Sequence, residues 1–192
     1  MKVVITNTAA LNTGDAAILI ATVEILRRAI GPELTVEIHD QQPGEARRYY
    51  PYFDFRPLLF DQLQAGRGKW GRRLSMLAVL LAARLWRTPL RGAGQRLVPA
   101  QLSDSLSRLA EADLVISAGG TYLVPHYRIF PKLFELLVAR FLGKPYVLFT
   151  QSLGPFSTQK RGWLLRWVLR HSQALLVRDS RSFRHLTDFG LP

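Results

Sequence analysis

Four short polar stretches hold the residue types with which this chain can do chemistry: Asn12-Thr-Gly-Asp15, Gly119-Gly-Thr-Tyr122, Gln151-Ser-Leu-Gly-Pro155 and Arg178-Asp-Ser-Arg-Ser182. Each is an ordinary turn by itself. Together they offer a carboxylate at Asp15, an amide at Gln151 and a guanidinium at Arg178. Small or hydroxyl residues for close backbone approach stand beside them: Asn12, Gly14, Gly119, Gly120, Thr121, Gly154 and Ser180. Such a set suits a phosphorylated or polyhydroxylated ligand. Cations and N–H groups take up oxyanion charge, and a carboxylate orients or deprotonates a hydroxyl. Structural roles compete at three of these positions. Asp15 is a good N-cap and favourable with a helix dipole. Arg178 is placed either to reach an anion or to pair with Asp179, and Gln151 to bond backbone or ligand. The glycine fingerprints of dinucleotide and P-loop sites are both missing, as are a Ser-His-Asp arrangement and a glycosidase-type carboxylate pair. The four histidines show no ligand spacing and cysteine is absent, so no metal site is expected.

The elements that must position these residues alternate along the chain. Val3-Val-Ile5 reads as a strand, and Asn12 to Asp15 opens a helix with a stripe of Ile18, Thr22, Ile25 and Ala29, flanked by Leu19, Leu26 and Ile30. Leu34–Ile38 reads as a second strand, 45–60 as loop or irregular pieces, and 88–100 as a linker. A helix of about ten residues follows from Leu102. Then come a buried strand at Asp113–Ser117, a turn at Gly119–Thr121, a helix at Ile129–Leu142 and a strand at Tyr146–Thr150. Gln151–Pro155 reads as a loop, Ser157 as the cap of a helix reaching Arg170, Ala174–Val177 as a strand, and Gly190 as the end of the last helix. Strands separated by helices over 192 residues imply one α/β domain with a Rossmann-like parallel sheet and helices on both faces. All four polar stretches then fall at the C-terminal edge of that sheet, where such folds bind ligands.

Charge adds a second theme. The formal net charge is +12, from 26 Lys and Arg against 14 Asp and Glu, which implies an anionic partner without choosing its class. A helical, basic insertion at about 67–100 contains the apolar run Leu74–Trp86. That run is about 13 residues long, against about 20 for a spanning helix. It reads either as a helix packed on the sheet or as an interfacial helix on an anionic membrane surface. Aromatic residues do not interleave with the basic ones, which argues against nucleic acid. The N-terminus runs straight into a strand with no signal peptide, and the lack of cysteine fits a cytoplasmic setting, peripheral at the inner face of the membrane if the basic helix docks there.

In order, Asn12-Thr-Gly-Asp15 with Ala-Ala-Ile, Val115-Ile-Ser-Ala-Gly-Gly-Thr121, Gln151-Ser-Leu-Gly-Pro-Phe156 and Val177-Arg-Asp-Ser-Arg-Ser-Phe183 resemble the polysaccharide pyruvyl transferase family. Thr121 stands where that family often has a third glycine. The resemblance implies the N-terminal domain of a GT-B-type two-domain enzyme, with the C-terminal domain and its donor-binding Arg-His motif absent, and hence an incomplete catalyst. It implies phosphoenolpyruvate as donor substrate, no cofactor, and transfer of the pyruvyl group as a ketal in cell-surface or exopolysaccharide synthesis. The acceptor would be a sugar or lipid-linked saccharide, with Asp15 orienting or deprotonating its hydroxyl. The missing domain or a homo-oligomer contact would cover the exposed side. A GT-B-type glycosyltransferase and a non-catalytic membrane-surface or sugar-binding module are the alternatives.

Overall fold

The computed structural model describes residues 1–64, 68–156 and 162–191. In chain order its elements are β1 (Lys2–Thr8), α1 (Thr13–Ile30), β2 (Thr35–Asp40), α2 (Pro43–Tyr49), β3 (Asp54–Pro57), α3 (Leu59–Gln64), α4 (Lys69–Leu85), α5 (Arg91–Arg96), α6 (Ala100–Glu111), β4 (Leu114–Ser117), β5 (Gly120–Leu123), α7 (Ile129–Phe141), β6 (Tyr146–Leu153), α8 (Gly162–Arg170), β7 (Ala174–Val177) and α9 (Ser180–Asp188). The strands form one parallel sheet in the order β3-β2-β1-β4-β6. β4 and β5 share one side of β6, pairing with its first and last residues, and β7 takes the other side.

Alternation along β1 sends its side chains into two cores. Val3 and Ile5 join Leu19 and Val23 of α1, Ala46 of α2 and Phe55 of β3. Val4 faces the larger cluster built from Leu63, Val79, Leu106, Leu136 and Leu165. Burying each of the Val, Leu, Ile and Phe side chains contributes about 1.5–3 kcal/mol. Helices on both faces are what an all-parallel sheet requires. Proline at its first position starts α2.

Several boundaries depart from the sequence reading. Residues 45–60 are not irregular: they contain most of α2, all of β3 and the start of α3. These elements are short, and Pro57 is tolerated because β3 lies at the sheet edge. The span read as a linker contains α5. On α1 the buried side is Ala16, Leu19, Thr22 and Val23, whereas Ile25 is 51% exposed. Gly120–Leu123 and Gln151–Leu153 are strand rather than turn and loop, because they pair with each other as Gly120↔Gln151 and Leu123↔Leu153. The positive φ of Thr150, 50°, interrupts the regular period just before this second stretch of ladder. The cap expected at Ser157 lies outside the described residues.

Candidate functional site

The chain crosses to β2 on one side of β1, and later returns to place β4 on the other. The sheet therefore changes winding direction between β1 and β4, which opens a crevice at the strands' C-terminal ends. A cleft of about 1310 Å³ lies there. Asn7, Thr8, Asn12 and Asp15 line it from the β1 side, Gly119 and Thr121 from the β4 side, and Lys132 from the start of α7.

The β1–α1 loop is shaped by Asp40. Its carboxylate accepts from Thr8 Oγ1 at 2.6 Å, from the Ala10 amide at 2.8 Å and from the Gln42 amide at 2.8 Å. Asn7 turns the strand end with φ 66°. Asn12, not Asp15, caps α1, because Asn12 Oδ1 accepts from the Gly14 amide at 3.0 Å. Gly14 is thus spent within the cap. Asp15 sits in the first helical turn, half-buried, and among the described residues no donor reaches its carboxylate. Burial raises its pKa above the ordinary carboxylate value. Lys132 and Arg178 pull it down, and Asp40 pushes it up further. A carboxylate kept partly dry and without donors can accept a proton from a hydroxyl brought to it.

The opposite rim rests on a buried polar chain. Asn7 Nδ2 donates to Ser117 Oγ at 2.9 Å, Ser117 pairs with Tyr122 Oη at 2.8 Å, and Tyr122 donates to the Ala118 carbonyl. Gln151 Nε2 donates to Tyr122 Oη at 2.6 Å and also to the Ala118 carbonyl. Gln151 is fully buried and supports the rim from beneath instead of facing the cleft. Burial pushes the Tyr122 phenol up, so it stays neutral. Gly119 has no room for a side chain: a Cβ would lie 2.2 Å from Thr150 Oγ1 and 2.8 Å from Ile18 Cγ2. Gly120 is close to the acid, since a Cβ there would stand 3.5 Å from Asp15 Oδ1.

The remaining expected residues divide between two places. Gly154 and Ser180 line a separate groove that adjoins the main cleft at Thr121, with Gly154 (φ 80°) packed against the His185 ring. Arg178 lines neither the cleft nor the groove: its Nε donates to Ser152 Oγ at 2.5 Å and stands 3.9 Å from Asp179, and its charge is felt at Asp15. Asp179 caps α9 through the Ser182 amide at 2.7 Å.

Several ionisable groups at the cleft were not among the expected site residues: Asp61, Arg72, Arg73, Arg128 and Lys132 line it, and Glu135 is buried one helical turn beyond Lys132 on α7. Lys132 is only 9% exposed, and its ammonium lies 5.2 Å from the centroid of the Tyr122 ring. Among the described residues it has no ion-pair partner within 4.0 Å, and burial lowers its pKa against the pull of Glu135, Asp61, Asp40 and Asp15. Glu135, wholly buried, accepts from the Phe60 amide at 2.9 Å and from Thr6 Oγ1 at 3.4 Å. Burial raises its pKa. Among the described residues the cleft therefore presents an ammonium with no ion-pair partner and a carboxylate with no donor, and no group of three possible metal ligands occurs.

A family model described as polysaccharide pyruvyl transferase matches residues 12–192. Among curated proteins, the chain is similar to the amylovoran biosynthesis protein AmsJ of Erwinia amylovora, 26% identical over 184 residues. That match covers 94% of this chain and 43% of AmsJ, so the chain spans less than half the length of this relative. No solved structure matches it.

Proposed function

The chain belongs to the polysaccharide pyruvyl transferase family, and on that premise we propose that it contributes to pyruvyl transfer from phosphoenolpyruvate to two hydroxyls of a saccharide. The methylene carbon of the donor gains a proton, and an acceptor hydroxyl adds to the adjacent carbon with loss of its own. A second hydroxyl then displaces phosphate and closes the ketal. Two hydroxyl protons leave in total, one matched by the new methyl hydrogen and one by the departing phosphate.

The observation that supports this reading is the pairing of Asp15 with Lys132 in one cleft. Asp15 receives the proton of the attacking hydroxyl, a task favoured by its raised pKa. Lys132 supplies positive charge to the donor's carboxylate and leaving phosphate, in a site dry enough for that charge to act strongly. Gly119, Asn12 and Thr121 border the ligand, Gly120 leaves space beside the Asp15 carboxylate, and Arg178 adds charge felt at Asp15. Gly154 and Ser180 line the adjoining groove, which offers room for an extended saccharide. The AmsJ similarity supports polysaccharide biosynthesis as the setting, and a cytoplasmic location goes with this reading.

Replacing Asp15 by Asn in the complete gene product tests the assignment. Phosphate release that depends on both donor and saccharide should fall by about 10²- to 10⁴-fold, with donor affinity little changed. Unaltered turnover would remove Asp15 from the chemistry.

A further inference from the structure

We propose that the outer face of α4 docks on an anionic phospholipid bilayer. The helix is apolar on two opposite sides. Val79, Ala82 and Ala83 are buried in the core, with Met76 packed against it. On the other side Trp70, Leu74, Leu77 and Leu81 are 75%, 66%, 63% and 51% exposed. Their spacings of four, three and four place them in a stripe about 60° wide, centred nearly opposite Val79. A water-facing stripe of this size needs an occupant.

Charge chooses the occupant. Between Asp61 and Asp104 the sequence has no acidic residue and eight basic ones. Arg73 and Arg84, both exposed, flank one edge of the stripe, and exposed Arg87, Arg91 and Arg96 follow it. The Arg73 guanidinium stacks 5.1 Å from the Trp70 ring, and that of Arg91 lies 4.7 Å from Trp86. A second copy of the chain docked symmetrically would set this arginine-rich face against itself. Nucleic acid would satisfy the arginines and leave the leucines in water. An anionic bilayer satisfies both, with headgroups for the guanidinium groups and acyl chains for the leucines. No described helix is long and apolar enough to cross a membrane, so α4 lies in the interface plane. Arg73 and Met76 also line the main cleft, so docking brings the cleft mouth to the bilayer surface. If the transfer proposed above holds, this placement suits an acceptor carried on a lipid.

The test is co-sedimentation of the chain with vesicles of phosphatidylcholine, with and without phosphatidylglycerol, at low and high salt. Docking predicts pelleting that requires phosphatidylglycerol and weakens with salt. Each arginine near an anionic surface contributes about fivefold to partition, so Arg84→Gln with Arg91→Gln should weaken it about 25-fold. Leu77→Ser with Leu81→Ser should weaken it by at least about tenfold, with the melting temperature only slightly lowered because both side chains are more than half exposed. Three results would overturn the proposal: no lipid-dependent pelleting, pelleting indifferent to the leucine substitutions, or a dimer in light scattering that Leu77→Ser dissociates. Sedimentation is read without turnover, so its outcome is separate from that of the transfer reaction.

Discussion

Replacing Lys132 by Met separates what the site costs from what it does. The lysine is 9% exposed and without an ion-pair partner among the described residues, so folding strips water from its ammonium with incomplete compensation. Burial therefore lowers its pKa below the ordinary 10.5. The sign follows: the cost is full at every pH below the lowered folded value, shrinks between that value and the ordinary one, and is absent above it. At neutral pH, methionine of similar length should stabilise the fold by about 1–2 kcal/mol. For a domain of this size that is a rise in melting temperature of about 2–8 °C. On the proposed role of Lys132, the same change removes a charged contact to the donor, worth about 1.5–3 kcal/mol. Phosphoenolpyruvate should then bind about 10- to 150-fold more weakly. Thermal unfolding at neutral pH and calorimetric titration with phosphoenolpyruvate give the two readouts. A lower melting temperature would make Lys132 a structural cation, and unchanged affinity would take it out of the ligand site.

Asp15→Asn, besides losing turnover, should leave the melting temperature unchanged or slightly higher at pH 7. Burial disfavours the ionised acid in the folded protein, and any gain should vanish once the pH is below the ordinary value of 3.8. Gly119→Ala forces a Cβ to 2.2 Å from Thr150 Oγ1 and should cost about 1–3 kcal/mol. Differential scanning fluorimetry would read this as a drop of about 2–12 °C. Asp179→Ala should lower the melting temperature at neutral pH, because the carboxylate caps α9 and its pKa is lowered by the Ser182 amide. That stabilisation is present above pH 3.8 and is lost as the pH falls through the lowered folded value, so wild type and variant should converge in acid.

The strand, turn and helix around Asn12–Asp15 were legible because a clear apolar period begins directly after a polar turn. The order of the polar stretches likewise brought Asn12, Asp15, Gly119 and Thr121 to one cleft, whereas Gly154 and Ser180 line the groove beside it. Lys132 and Glu135 were not legible, since on an isolated amphipathic helix they read as its solvated face. Here α7 is enclosed by the sheet and by α3, α4 and α8, so that face is buried too. Only tertiary packing reveals it. Gln151 was misplaced as a loop residue because Thr150 takes a left-handed conformation in mid-strand and masks the continuation of β6. The cap of α1 fell to Asn12 and not to Asp15, because the helix already starts at Thr13 and Asn12 Oδ1 accepts from the Gly14 amide. Short pieces such as β3 and α5 carry too few residues for a period to show.

The most direct test of the account is to incubate the complete gene product with phosphoenolpyruvate labelled with ¹³C at its central carbon and a saccharide acceptor bearing two neighbouring free hydroxyls. The account predicts that the label moves to a ketal carbon on the sugar, with one phosphate released per ketal and with loss of the signal in Asp15→Asn. Phosphate released without a ketal, or a ketal formed equally well by Asp15→Asn, would contradict it.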